Sequence, residues 1–147
     1  MLVYRIARKK YINDLSGKGA ELAGGRWNLK GLPAIYTSST LALAMFEILV
    51  HTDKDLPPVD MYFSELEIPD KMIIDDYFNE VSFEHALNIG SNWIKEAESL
   101  AIKVPSVLMP KNYTRDFNVI INPRHKDFPK IKILKTEPCN FDLRLFY

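Results

Sequence analysis

One ten-residue run constrains this chain more than any other: LALAMFEILV at positions 41–50. It is apolar nearly all round, so it reads as a buried helix rather than a surface one. Ser38, Ser39 or Thr40 supplies an N-cap, and the helix is expected to reach about Thr52. Around it the sequence reads mainly as strands. LVYRIA at 2–7 is a first strand, and Trp27 and AIYTS suggest two short strands about the turn LKGLP. MYFSELEI alternates as a strand should, and LAIKVPS, FNVIIN and KIKILK follow as three more. A second helix is expected over EHALNIGSNWIKEAES, broken near Gly90. Residues 12–25, with four glycines, read as a loop, and the Pro57-Pro58 pair ends another. The stretch 70–83 is acidic and mixed, with little periodic signal. With no internal repeat and no low-complexity linker, the reading is α+β, a single domain over 1–147 with strands grouped toward both ends.

Composition narrows the function. At 147 residues and 47% hydrophobic the chain can bury a real core. Its formal net charge is zero, which counts against direct binding of nucleic acid. A single cysteine, Cys139, forms no internal disulfide, and with three histidines it makes a poor metal set. The N-terminal MLVYRIARKK lacks an apolar leader core, and no run reaches the ~18 apolar residues of a membrane span. The expectation is a cytoplasmic protein that uses no metal and spans no membrane.

Five side chains invite a chemical reading, most with a structural alternative. Glu47 lies inside the apolar run, where a carboxylate is costly unless paired or hydrogen-bonded. No Lys or Arg lies within four residues; His51, one turn on, is a local option, and otherwise the partner comes from elsewhere in the fold. Glu47 therefore lines a cleft, or sits in a structural ion pair or at the wet edge of the helix. Arg26 follows Gly24-Gly25, where the backbone can approach a ligand and a guanidinium fork suits phosphate or carboxylate. Trp27 adds an aromatic face; the alternative is a turn whose arginine is solvated and whose tryptophan is core. Tyr36 can stack on a planar ligand, donate one directed hydrogen bond, or sit in the core. Ser106, in the apolar KVPSVLMP, needs a hydrogen-bond partner but lacks a nucleophile-elbow context. No phosphate-binding or dinucleotide glycine fingerprint is present. In RHKDFPKIKILK, Lys130 and Lys132 are expected to face solvent, with Ile131 and Ile133 toward the core. Glu65, Glu67, Asp70, Asp75, Asp76, Glu80 and Glu84 are too spread for a calcium loop and read as a solvated face.

Taken together and in order, these stretches are more specific. YRIA at 4–7, LSGKGAELAGGRWNLKGLPAIYTSSTLALAMFEILVH at 15–51, VPSVLMP at 104–110, NVIINPRHKDF at 118–128 and FDLRL at 141–145 resemble the RES domain family, the toxins of bacterial RES–Xre toxin–antitoxin pairs. The resemblance implies an ADP-ribosyltransferase-like fold of the diphtheria-toxin type, with small mixed or antiparallel sheets flanked by helices. It implies an enzyme that takes NAD as substrate and cleaves the nicotinamide–ribose bond, the acceptor being water, phosphate or a protein side chain. The family's functional arginine, tyrosine and glutamate match Arg26, Tyr36 and Glu47, and its functional serine matches Ser106. Arg5 and Asn122 fall in family motifs and, with Trp27, join the expected NAD-binding set. The resemblance further implies an Xre-type antitoxin that covers the active site and carries any DNA contact, and it leaves room for a homodimer within that complex. A protein mono-ADP-ribosyltransferase and a non-catalytic interaction module are the competing readings.

Overall fold

The computed structural model describes residues 1–75, 82–111 and 113–147. Asp76 and Glu80 of the acidic series, and part of the stretch 70–83, lie outside the described residues. Seven strands form one mixed sheet in the order β4-β5-β6-β2-β1-β3-β7. They are β1 (Leu2–Arg8), β2 (Ile35–Ser38), β3 (Met61–Glu67), β4 (Ile73–Ile74), β5 (Ala101–Val104), β6 (Asn118–Ile121) and β7 (Lys132–Pro138). All neighbours are antiparallel except β4 and β5. Among the described residues three α-helices accompany the sheet: α1 (Lys18–Ala23), α2 (Leu41–Val50) and α3 (Phe83–Glu96). No helix among the described residues is long and apolar enough to cross a membrane.

The period-two rule divides the sheet into two faces. On one, Val3, Ile35, Leu66, Val119 and Ile121 form an apolar cluster with Ile68 and Leu100. On the other, Ile102, Val104 and Ile120 meet Trp27 and the inner side of α3, which supplies Ala86, Trp93 and Ile94. This second face carries the cleft. Register lines up its side chains: Tyr4 opposes Ser38, Ser38 opposes Asn118, and Tyr36 opposes Ile120.

Several expectations are corrected by packing. The segment expected as loop contains α1, a helix of six residues too short to show periodicity. Trp27 lies in no strand; Gly25 and Asn28 form only an isolated bridge. The two-residue β4 emerges from the stretch with no periodic signal, because it borrows its pairing from β5. Helix α3 runs unbroken through Gly90: a β-carbon there would meet the Trp27 backbone, at 2.7 Å from its carbonyl carbon. The glycine is therefore a contact surface and not a helix stop.

Helix α2 begins at Thr40, whose hydroxyl accepts the Leu43 N–H at 3.1 Å. It is not buried all round, as its composition suggests. Only Leu43 and Ala44 are buried, because the helix rests on β1 and β2 with one side alone, and Phe46 and Val50 stand 58% and 55% exposed. Lys130, in the turn before β7, and Lys132 on it face solvent as expected, but Ile133 is also exposed: β7 is an edge strand, and among the described residues its side chains are mostly exposed. Lysines along such an edge discourage sheet-to-sheet association.

Candidate active site

A cleft of about 1120 Å³ opens between the sheet, α2 and the start of α3. Arg26, Trp27, Tyr36 and Glu47 all line it, as do Tyr4, Asn118 and His51. Segments far apart in sequence thus contribute to one cavity.

The turn that carries Arg26 is held from beneath. The Tyr36 hydroxyl accepts the Trp27 N–H at 3.0 Å and donates to Asn28 Oδ1 at 2.7 Å. Asn28, fully buried, donates through Nδ2 to the carbonyls of Ala20 and Leu32 at 2.8 and 3.0 Å, which ties α1 and the following loop together. Gly25 N–H closes the turn onto Asn28 O at 3.0 Å. A β-carbon on Gly25 would stand 2.6 Å from the tyrosine oxygen, so the second glycine leaves room for this bond. Gly24 takes φ 70°, a conformation glycine adopts without strain. The spacing Gly-Gly-Arg-Trp-Asn is thus a device that seats one arginine. The Arg26 guanidinium carbon lies 6.0 Å from the centre of the Phe83 ring, within cation–π range.

Burial pushes the Tyr36 phenol up from 10.0 to about 12, against the lowering effect of its bonds to the Trp27 and Asn28 segment. Below pH 10 both folded and unfolded states keep the proton, so stability is unaffected there. Between 10 and 12 the unfolded chain loses its proton while the folded one keeps it. Unfolding free energy is therefore expected to fall through that window by about 1.4 kcal/mol per pH unit. Urea titrations from pH 9 to 11 check this, and Tyr36→Phe should be less stable at pH 8 yet show a flatter slope.

Glu47 receives two hydrogen bonds on one oxygen. Ser106 Oγ donates to Oε1 at 2.8 Å and Asn118 Nδ2 donates to the same atom at 2.7 Å. Asn118 is itself set by Ser38, whose hydroxyl donates to its Oδ1 at 2.8 Å. Among the described residues no cation pairs with this carboxylate, and His51 lines the cleft without bonding to it. The partners come from elsewhere in the fold and are neutral. They fix the carboxylate while leaving its charge uncompensated and its second oxygen for a ligand. Among the described residues, no three His, Cys, Asp or Glu converge as metal ligands.

Not every expected residue reaches the cleft. Arg5 alternates with Tyr4 along β1 and so leaves by the opposite face, where its guanidinium donates to the carbonyls of Ile12 and Tyr11 at 2.7 and 3.2 Å. Desolvation lowers its pKa from the usual arginine value. Asn122 is fully buried; its amide donates to Ile94 O at 3.1 Å and its oxygen accepts the Arg124 N–H at 3.0 Å, a brace between β6 and α3. Trp27 does line the cleft, but its side chain is packed into the core, 2% exposed. Ser106 reaches Glu47, with its oxygen also accepting the Leu108 N–H at 3.2 Å, so its hydroxyl is committed to the carboxylate. Sequence reasoning missed Asn118 and Asn28. For Asn118 the signal was present: it opens NVII on the same strand face as Ile120, a polar residue where alternation sends a side chain inward.

The fold and the sequence have known counterparts. A chain of the M. tuberculosis MbcT–MbcA toxin–antitoxin complex superposes with a TM-score of 0.72 over 92% of this chain and 82% of that one, at 16% identity, and so shares its fold. A protein named Toxin Res from Photorhabdus laumondii is 37% identical over 99% of this chain and 97% of its own length. A protein named Prs ADP-ribosylating toxin, from Sphingobium sp. (strain YBL2), is 32% identical over 95% of this chain and 91% of its own. The RES domain model matches residues 2–142, nearly the whole chain, including the seated arginine, the tyrosine beneath it and the anchored glutamate. The protein belongs to the RES domain family.

Proposed function

We infer that this protein is the toxin of a toxin–antitoxin pair and that it cleaves the nicotinamide–ribose bond of NAD in the cytoplasm. The observation that carries the reading is the anchored carboxylate: Glu47 Oε1 fixed by Ser106 and Asn118 on the wall of a cleft that also holds Arg26 and Tyr36. As the bond from nicotinamide nitrogen to C1′ breaks, its electron pair leaves with nicotinamide and positive charge develops on the ribose. A rigid carboxylate beside that carbon stabilises the charge, as in glycoside hydrolysis. Water then bonds to C1′ and releases a proton, giving ADP-ribose. Arg26 is suited to a phosphate oxygen of the dinucleotide. The Tyr36 ring walls the cleft while its hydroxyl holds the Arg26 turn, and Ser106 and Asn118 act through Glu47.

Purified protein should consume NAD, with products resolved by mass spectrometry with and without inorganic phosphate. ADP-ribose marks hydrolysis and its 1-phosphate marks phosphorolysis. An undiminished NAD pool under both conditions would overturn the reading. The second reading, transfer of ADP-ribose to a protein, is favoured by the name of the Sphingobium relative. Label from NAD retained on a lysate protein, with little free ADP-ribose, would select it.

Asn118→Ala should lower kcat by roughly 10-fold to 100-fold with a smaller change in KM, because it loosens a group needed at the transition state. A rise in KM alone would place Asn118 in substrate binding instead. An antitoxin of the Xre type is the expected partner. Phe46 and Val50, exposed on the helix that carries Glu47, give it an apolar hold beside the cleft.

A further inference from the structure

The cleft continues beyond the carboxylate, and its chemistry changes along the way. Glu47 is bonded to Asn118, which pairs across the sheet with Ser38. Tyr36 lies two residues back on the same face of β2, roughly 7 Å away at strand spacing. Its hydroxyl meets the Trp27 N–H, Arg26 adjoins, and the guanidinium carbon lies 6.0 Å from the Phe83 ring centre. Carboxylate, phenol, guanidinium and an exposed phenyl ring thus follow one another along one cavity.

The far end is an apolar shelf. Phe83 and Leu87 are one turn apart on α3 and both line the cavity, with Phe83 61% exposed. Leu29 joins them, 42% exposed, its backbone N–H donating to the buried Ser91 Oγ at 3.0 Å. That bond ties the loop to α3 and holds the shelf in shape. Lys30 lines the same cavity next to Leu29. Lys30 and Arg26 bring basic groups to this end, beside its apolar surface, and among the described lining residues Glu47 is the only acid. A volume of about 1120 Å³ is at the upper edge of the roughly 300–1,000 Å³ common for small-molecule sites, enough for both halves of a dinucleotide.

We propose that Phe83, Leu87 and Leu29 form the adenine subsite, with Lys30 and Arg26 taking the pyrophosphate between it and the reacting ribose. This rests on the NAD reading and deepens it. An adenine ring is flat, has apolar faces, and stacks on an exposed phenyl ring whatever its edge groups meet. The nicotinamide end must lie at Glu47, where the bond breaks. The other planar end of the same molecule then falls beyond Arg26, on the shelf.

The test uses NAD, nicotinamide mononucleotide and AMP with wild type, Phe83→Ala and Phe83→Tyr. Phe83→Ala should raise KM for NAD about tenfold or more and weaken AMP binding, read by calorimetry, by a similar factor. Its kcat/KM for nicotinamide mononucleotide, which has no adenosine, should fall far less than that for NAD, and Phe83→Tyr should restore both losses. AMP binding that is indifferent to Phe83, or a parallel loss with the mononucleotide, would overturn the subsite. If wild type fails to cleave NAD yet binds AMP in a Phe83-dependent way, the subsite stands and the reaction assigned above falls.

Discussion

Glu47→Gln is expected to cut the turnover of NAD by roughly 10²–10⁴-fold while leaving the fold intact. Glutamine keeps the shape and one carbonyl oxygen, so Ser106 and Asn118 can still donate to it as they do to Oε1. What disappears is the negative charge facing the developing cation on the ribose. The loss should therefore fall on kcat, with KM changed little. Thermal unfolding should stay within a few degrees of wild type, since both anchoring bonds keep an acceptor. Expression in a susceptible bacterium gives an independent readout: wild type should arrest growth and Glu47→Gln should not. Equal toxicity of the two would remove the catalytic reading and leave an interaction module as the better account.

Gly90→Ala is expected to have the largest effect on stability of the glycine-to-alanine changes in this fold. Helix α3 lies so close to the Arg26 turn that an added β-carbon would overlap the Trp27 carbonyl oxygen and stand 2.9 Å from Trp27 Cα. These are backbone atoms, so no side chain can swing away. Trp27 is itself wedged in the core with Ala86, Trp93 and Ile94. Alanine would ordinarily favour a helix interior by about 1 kcal/mol over glycine. Overpacking against a fixed backbone costs about 1–3 kcal/mol or more and should outweigh that gain. A drop in Tm of roughly 5 °C or more is expected at this chain length, together with weaker NAD cleavage, because relief of the clash must move the turn that seats Arg26. A Tm equal to or above wild type would show that α3 and the turn can separate without cost.

Some of this was legible before any coordinates. The strand periods of LVYRIA and FNVIIN were right, and Thr40 was among the N-caps expected for α2. Arg26, Tyr36 and Glu47, singled out by the motifs, line one cleft. Other parts were not legible because the deciding contact is not local. Apolar composition suggested burial for all of 41–50, yet only the neighbours a helix finds decide which side is covered, and α2 finds them on one side. Ile133 is as apolar as Ile131, but it lies on an edge strand whose side chains are mostly exposed. Gly90 looked like a helix stop because glycine is a poor helix former; the structure uses it for close approach.

The sequence by itself determined the local features: strand alternation, the helix cap, the glycines that free a turn, and the family motifs that single out a candidate set. Tertiary structure alone decided which of those side chains share a space. Arg5 carries the same motif credentials as its neighbours, yet one step along a strand turns it to the opposite face from Tyr4. Glu47 finds its partners 59 and 71 residues away, in Ser106 and Asn118. A periodic pattern reports which way a side chain points from its own element, and only the packing of elements reports what it meets there.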